Sequence, residues 1–311
     1  DEILNDDKAG CECWEEAEGK LQEMAANKAL SKSGLEKKDI RYIVAGDLLG
    51  QLMASSFGLM KLEIPMFGIY GACSTMGESI SIASMLVDGG YADNILAITS
   101  SHFASAEKQF RFPLGYGSQR KMASTWTVTG SGAVIISSEK MAQKANMSDK
   151  NKVHITGITT GKIVDFGVKD SMNMGACMAP AAGNVIVQNL IDNGRKPEWY
   201  DKIITGDLGL VGKDILLDIT RSKGYDIADR YMDCGIEIYS REQEIQAGGS
   251  GCGCSASMLA GYIVKMLEKG TWQRVLFVPT GALLSPVSFN EGDSVPGIAH
   301  AVVFECSGES Q

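Results

Sequence analysis

The chain has 311 residues, 44% hydrophobic and 22% charged, with a formal net charge of −9. That length can bury one large core or two fused halves. The acidic balance gives no support for nucleic acid or an anionic membrane surface as a partner, since both select basic patches, and no apolar run approaches the ~20 residues of a membrane-spanning helix. Eight cysteines (Cys11, Cys13, Cys73, Cys177, Cys234, Cys252, Cys254 and Cys306) are too sparse for a disulfide framework. Together with fifteen methionines they suit a reducing compartment. The pairs Cys11/Cys13 and Cys252/Cys254 lack both the Cys-x2-Cys spacing and the following histidine of common zinc sites, so no metal and no cofactor is expected. The chain opens on Asp1-Glu2-Ile3 with no initiator methionine, and a preceding segment is expected.

Residues 13–33 read as an amphipathic helix whose buried face is Trp14, Ala17, Leu21, Met24, Ala25 and Leu30. Residues 40–45 form a strand that runs into Gly46-Asp47-Leu48, and a short helix covers about 55–61. The apolar run 64–70 is the next strand, followed by a tight Gly71-Ala72-Cys73-Ser74. Met76, Ile80, Ala83 and Val87 then share one helical face, Gly89-Gly90 stops that helix, and 94–98 is a buried strand. Cys73 therefore sits where strand becomes helix. Unpaired N–H groups and the positive helix end favour thiolate there. A nucleophile on an elbow and a small buried cysteine in a parallel sheet both fit this local pattern. From Ser100 to Gly117 a long loop mixes His102, Lys108, Phe110, Arg111 and Phe112, and loops of such length tend to carry function. Residues 125–137 are strand-like with a turn at Gly130-Ser131-Gly132, and 138–151 read as a polar linker.

The second half begins with a strand at 153–158 and a helix at 179–193, with Pro180 tolerated in its first turn. Residues 203–209, Ile-Ile-Thr-Gly-Asp-Leu-Gly, follow. After a polar connection come a glycine-rich stretch at 246–253, a helix at 255–267, a buried strand at 275–278 and a last strand at 300–304. The halves repeat. Ile43-Val44-Ala45-Gly46-Asp47-Leu48 returns as Ile203-Ile204-Thr205-Gly206-Asp207-Leu208, and the unit of Cys73, helix, Gly89 and strand returns at Cys254, helix, Gly270 and strand. Two halves, 1–140 and 151–311, give an α/β protein with layered sheets and helices whose elbows face a shared pocket.

A duplicated α/β chain with Gly-Ala-Cys-Ser at its first elbow resembles the thiolase superfamily, and among its enzymes beta-ketoacyl-acyl carrier protein synthase III. Gly71-Ala72-Cys73-Ser74-Thr75, Thr127 to Val134, Gly248-Gly249-Ser250-Gly251-Cys252 and Thr280 to Pro286 are more similar still to the stage V sporulation protein AD family. The resemblance implies a thiolase-like duplicated fold, layered α-β-α-β-α with two mixed five-stranded sheets. It also implies a homodimer that pairs edge strands across its twofold. The synthase uses cysteine, histidine and asparagine to attack a thioester and hold its oxyanion. The cysteine position is Cys73. The histidine position falls in Thr205-Gly206-Asp207-Leu208, and the asparagine turn reads Gly251-Cys252-Gly253. A carboxylate would repel an oxyanion and a thiol is a weak donor, so a retained pocket with lost acyl-transfer chemistry is expected. His102 and His300 are candidates to reach that pocket, and His154 reads as structural.

What the sporulation family is implicated in follows only from the resemblance. It is binding of dipicolinic acid (pyridine-2,6-dicarboxylate), free or as its calcium chelate, for uptake into the developing spore and release in germination, beside membrane proteins of the stage V sporulation A system. A cytoplasmic place, or a peripheral one on the spore inner membrane, goes with it. The expected ligand-binding set is Cys73, His102, Arg111, Asp207, Ser250, Cys252 and His300, with no catalytic residue. A planar dianion suits arginine and helix starts, and Phe110 or Phe112 could stack on its ring. The competing readings are an acyltransferase or thioesterase using Cys73 with His102 or His300 as base, and an interaction scaffold with a vestigial pocket.

Overall fold

A computed structural model describes residues 1–110, 120–144 and 152–307. In chain order the first half holds α1 (Trp14–Ser33), β1 (Tyr42–Gly46), α2 (Met53–Leu59), β2 (Met66–Gly68), α3 (Thr75–Asp88), β3 (Asn94–Ser101), α4 (Phe103–Phe110), β4 (Trp126–Thr127), β5 (Gly130–Ser137) and α5 (Glu139–Lys144). The second holds β6 (Lys152–Thr159), α6 (Met174–Asp192), β7 (Lys202–Thr205), α7 (Gly209–Ser222), β8 (Tyr231–Asp233), α8 (Cys234–Glu237), β9 (Gly249–Ser250), α9 (Cys252–Met258), α10 (Val264–Glu268), β10 (Arg274–Val278), β11 (Thr280–Ala282), α11 (Pro286–Asn290), β12 (Gly297–Ala299) and β13 (Ala301–Ser307). A π turn, Leu259–Ile263, joins α9 to α10.

The repeat read from the sequence is a repeat of topology. One sheet has the order β2-β1-β3-β5 and the other β6-β13-β10-β7-β8. In each, a central parallel trio (β2, β1, β3 and β8, β7, β10) is followed by one antiparallel strand, β5 against β3 and β13 against β10. The second sheet has the expected five strands and the first has four among the described residues. The place that β6 takes beside β13 has no described counterpart beside β5. There, a groove of about 2300 Å³ opens between β5, residues 1–7, α1 and β6.

The layers follow from which faces are apolar. Helices α3 and α9 lie between the sheets, in one core built from Met76, Ile80, Ala83, Ala256 and Leu259 with β3, β10 and β13. Helices α1 and α2 cover the outer face of the first sheet, and α6 and α7 that of the second. The sheets are bound further by β4 and β9, which pair in parallel across the halves.

Several local expectations are corrected. Of the run 64–70, Met66–Gly68 is strand, on the exposed edge of its sheet, with Phe67 48% exposed. The buried face of α1 carries Glu18 and Gln22 beside Ala17, Ala26 and Leu30, while Leu21, Met24 and Ala25 face the open groove. The basic and aromatic stretch begins as a helix, α4, not a loop. Gly130-Ser131-Gly132 lies inside β5, not in a turn, because β5 runs so close to α9 that a Cβ on Gly132 would lie 2.1 Å from the Ala256 carbonyl oxygen. The polar stretch after Ser137 starts as α5. Helix α6 starts five residues before the expected point and carries Pro180 in its interior. At 19 residues α6 is long and apolar enough to cross a membrane, yet 72% of its apolar window is buried in the protein.

Candidate functional site

The elbow between β2 and α3 is tied by its own side chains. Ser74 Oγ donates to the Gly71 carbonyl (2.7 Å), Thr75 Oγ1 to the Ala72 carbonyl (2.6 Å), and Gly71 N–H to Thr75 Oγ1 (3.1 Å). These bonds hold Ala72 at φ 50°, a left-handed conformation that costs a residue with a Cβ about 1–2 kcal/mol. The strain turns Cys73 inward at the head of α3, where it is 6% exposed. Three other segments converge on it. The end of β7 delivers Asp207, β9 delivers Ser250 and Gly251, and β11 delivers Thr280. Asp207 is fully buried. Its Oδ1 accepts from Thr280 Oγ1 (2.7 Å) and its Oδ2 from Gly251 N–H (2.9 Å), and the carboxyl lies beside the Cys73 thiol. Gly251 is required on two counts. Its φ is 101°, and a Cβ there would lie 2.6 Å from Ser101 Oγ.

Burial pushes the Asp207 carboxyl up to about 7, against the pull of its Thr280 and Gly251 donors and with a further push from Asp233. Burial likewise drives the Cys73 thiol well above its ordinary value, helped by the neighbouring Asp207 and Cys252. This reverses the expectation of a thiolate at the helix start. Desolvation plus an adjacent carboxyl outweighs a dipole worth about 0.3–1 kcal/mol, so Cys73 is a thiol near neutral pH. Cys252 is fully buried, and its Sγ donates to the Ser100 carbonyl (2.9 Å). Cys254, matched to Cys73 by the repeat, lies within the first turn of α9 with its Sγ on the Gly206 carbonyl (3.5 Å).

Beside Cys73 is a cavity of about 30 Å³ lined by Leu48, Tyr70, Ala72, Cys73, Phe110, Thr127, Met174, Ser250, Ala282 and Leu284. Of the expected ligand set, Cys73 and Ser250 line it. Asp207 and Cys252 stand outside the lining shell, Asp207 beside Cys73. His102 does not reach the cavity. It is buried with Nε2 2.7 Å from the Asp7 carbonyl oxygen, while Nδ1 accepts from Ala104 N–H (3.2 Å). Nor does His300, whose Nδ1 accepts from Gly161 N–H (3.4 Å) and whose buried Nε2 has no described partner. Burial lowers the His300 pKa, so the ring stays neutral near pH 7. Arg111 and Phe112 lie outside the described residues, and Lys108 pairs with Glu15 on α1.

Sequence reasoning passed over Tyr70, Thr127, Met174 and Ala282 as lining residues. Thr127 and Ala282 fall inside stretches already noticed for their family likeness, which was the available signal. Met174 had none. A buried ion pair fixes the Thr127 wall. Arg120 Nη2 meets Glu107 Oε2 at 2.8 Å with both side chains shielded from solvent, and the guanidinium lies over Trp126, 4.0 Å from its ring centroid. Glu107 Oε1 accepts from both the Thr127 N–H (3.1 Å) and its Oγ1 (2.9 Å).

Comparison with solved structures gives enzymes of the same fold at low identity. One is a Xanthomonas campestris OleA variant crystallised with lauric acid and lauroyl-CoA (TM-score 0.61, 13% identity, 92% of this chain and 82% of that one). Another is 3-oxoacyl-[acyl-carrier-protein] synthase III from Aquifex aeolicus VF5 (TM-score 0.55, 16% identity, 91% and 83%). The duplicated thiolase-like architecture is therefore shared with these proteins. Among characterised sequences, stage V sporulation protein AD of Bacillus subtilis (strain 168) is 46% identical over 295 residues, 95% of this chain and 84% of that relative. Residues 1–305 also match the family described as Stage V sporulation protein AD (SpoVAD). With the fold, the elbow and the sequence in agreement, the chain belongs to the stage V sporulation protein AD family.

Proposed function

We propose that this member of the family is a non-catalytic binding protein whose pocket at Cys73 takes dipicolinic acid during sporulation. One observation carries the loss of catalysis. The group beside Cys73 is a buried carboxyl, Asp207, and both histidines of the described residues that could have acted as base point elsewhere. A thiol kept protonated by burial is a poor nucleophile. A carboxylate where an oxyanion would form opposes acyl transfer. What remains is a small enclosed site with a thiol, a serine, a threonine and a tyrosine among apolar walls, the composition of a ligand pocket. The choice of ligand rests on the family likeness, as do its uptake into the spore, its release in germination and the neighbouring membrane proteins. Pairing of the exposed edge β2 with a second copy fits the same reading, because it would cover Met66 and Phe67 and satisfy a free strand edge.

The test is to incubate the protein with acyl-CoA and with dipicolinic acid, and to follow acyl adducts by intact mass and binding by protection of Cys73 from alkylation under mild denaturation. No adduct, with protection by dipicolinic acid alone, is expected. An acyl group on Cys73 would instead establish an acyltransferase or thioesterase. A second reading, an interaction scaffold with a vestigial pocket, is favoured by the volume beside Cys73. About 30 Å³ holds one water, so a ring with two carboxylates needs the walls to part. Absence of protection in every condition would select the scaffold.

A further inference from the structure

Asp207 is a carboxyl with no cation in reach among the described residues. Its oxygens are occupied by Thr280 Oγ1 and Gly251 N–H, and it lies beside the thiol that walls the cavity. The charge on Asp207 decides what a ligand in the cavity meets behind that wall. With Asp207 ionised, a fully buried negative charge stands behind the Cys73 wall. With Asp207 protonated, that charge is gone and the neutral thiol can serve as a weak donor to the cavity. Only the second arrangement suits an anion.

The geometry points to Asp207 as the specificity-determining residue of this pocket: an anionic carboxylate ligand enters together with one proton, which resides on Asp207. This rests on the reading of the Cys73 cavity as a binding site. Asp207 is the carboxyl that stands behind the cavity wall. The titratable groups facing it are Cys73 at the head of α3, Cys234 on α8, Cys252 and Cys254 on α9, and Tyr231 and Asp233 on β8. Burial holds the four thiols and the phenol in their neutral forms. Asp233 is engaged by four donors of its own, Thr205 Oγ1 and the N–H groups of Leu208, Gly209 and Ile236, which pull against the rise that burial gives its carboxyl. Asp207 itself sits at about 7, so a small change in its surroundings moves its charge.

Calorimetric titration with dipicolinic acid, in pairs of buffers with different ionisation heats, counts the protons taken up per ligand bound. At a pH about one unit above that of Asp207, the wild type is expected to take up close to one proton, with affinity falling about tenfold per pH unit above it. Asp207→Asn is expected to take up none and to bind with flat pH dependence. Should Asp207→Asn fail to fold, Thr280→Val replaces it. Removing one donor to the carboxylate raises the Asp207 pKa, so the break in affinity moves to higher pH, a shift that loss of packing alone does not produce. Binding without proton uptake in the wild type overturns this inference and leaves the binding reading standing. Absence of saturable binding at every pH overturns both.

Discussion

On α1, Glu18 accepts from Ser100 Oγ (3.0 Å) and Ser105 Oγ (2.7 Å) in full burial, and desolvation raises its carboxyl to about 8. The folded form therefore holds this proton more tightly than the unfolded chain. The stability tied to it is fully present below the unfolded value of about 4.3 and is lost as pH rises through about 8. Asp47, Asp207 and Asp233 are raised by burial in the same sense. Urea midpoints are thus expected to fall between about pH 5 and about pH 9, and Glu18→Gln, which keeps a neutral side chain of the same shape, is expected to flatten part of that slope. An unchanged slope in Glu18→Gln would remove Glu18 from the account. Cys73 gives a second test at this scale. Alkylation by iodoacetamide at neutral pH is expected to be far slower in the folded protein than in urea, and equal rates would contradict a buried thiol. The position of Cys73 at a helix start could be read from glycines and helical spacing. Its protonation state could not, because that depends on Asp207, 134 residues away in sequence, which the fold brings beside the elbow.

The elements show where periodicity was a sufficient guide. Helix α3 buries Met76, Ile80 and Ala83, as their spacing required, and stops at Gly89 and the left-handed Gly90. Periodicity misled for α1, whose apolar stripe and buried face differ because Glu18 and Gln22 are satisfied by Ser55, Ser100 and Ser105. It also missed α4, where Glu107 is buried and paired with Arg120 from beyond the helix, in a stretch that reads as a loop. Composition alone cannot distinguish a paired internal charge from an exposed one. Two substitutions test these elements by thermal melting. Glu107→Ala, which removes the carboxylate from a buried pair, is expected to cost about 3–5 kcal/mol. Gly132→Ala forces a Cβ into the Ala256 backbone and is expected to cost about 1–3 kcal/mol or more. A melting temperature unchanged in either would refute the packing described.

For the whole molecule, the internal repeat was the strongest signal in the sequence, and it predicted the layering of sheets and helices and two halves built alike, which the matching strand orders bear out. The strand count of the first sheet was the exception, since repeated motifs say nothing about a strand position that no described residues fill. Edge β2 carries a prediction at this scale: light scattering is expected to give the mass of a dimer, and Phe67→Asp, which charges that edge, the mass of a monomer. The pocket lies where both halves contribute walls, Tyr70 and Thr127 from one, Met174, Ser250 and Ala282 from the other, so it exists only in the assembled chain. Its use is the central claim, and calorimetric titration with dipicolinic acid, with and without calcium, tests it most directly when run beside Ala282→Leu, which fills the cavity. The account predicts saturable one-to-one binding by the wild type and its loss in Ala282→Leu. No saturable heat from the wild type in either condition, or equal binding by the filled variant, would contradict it.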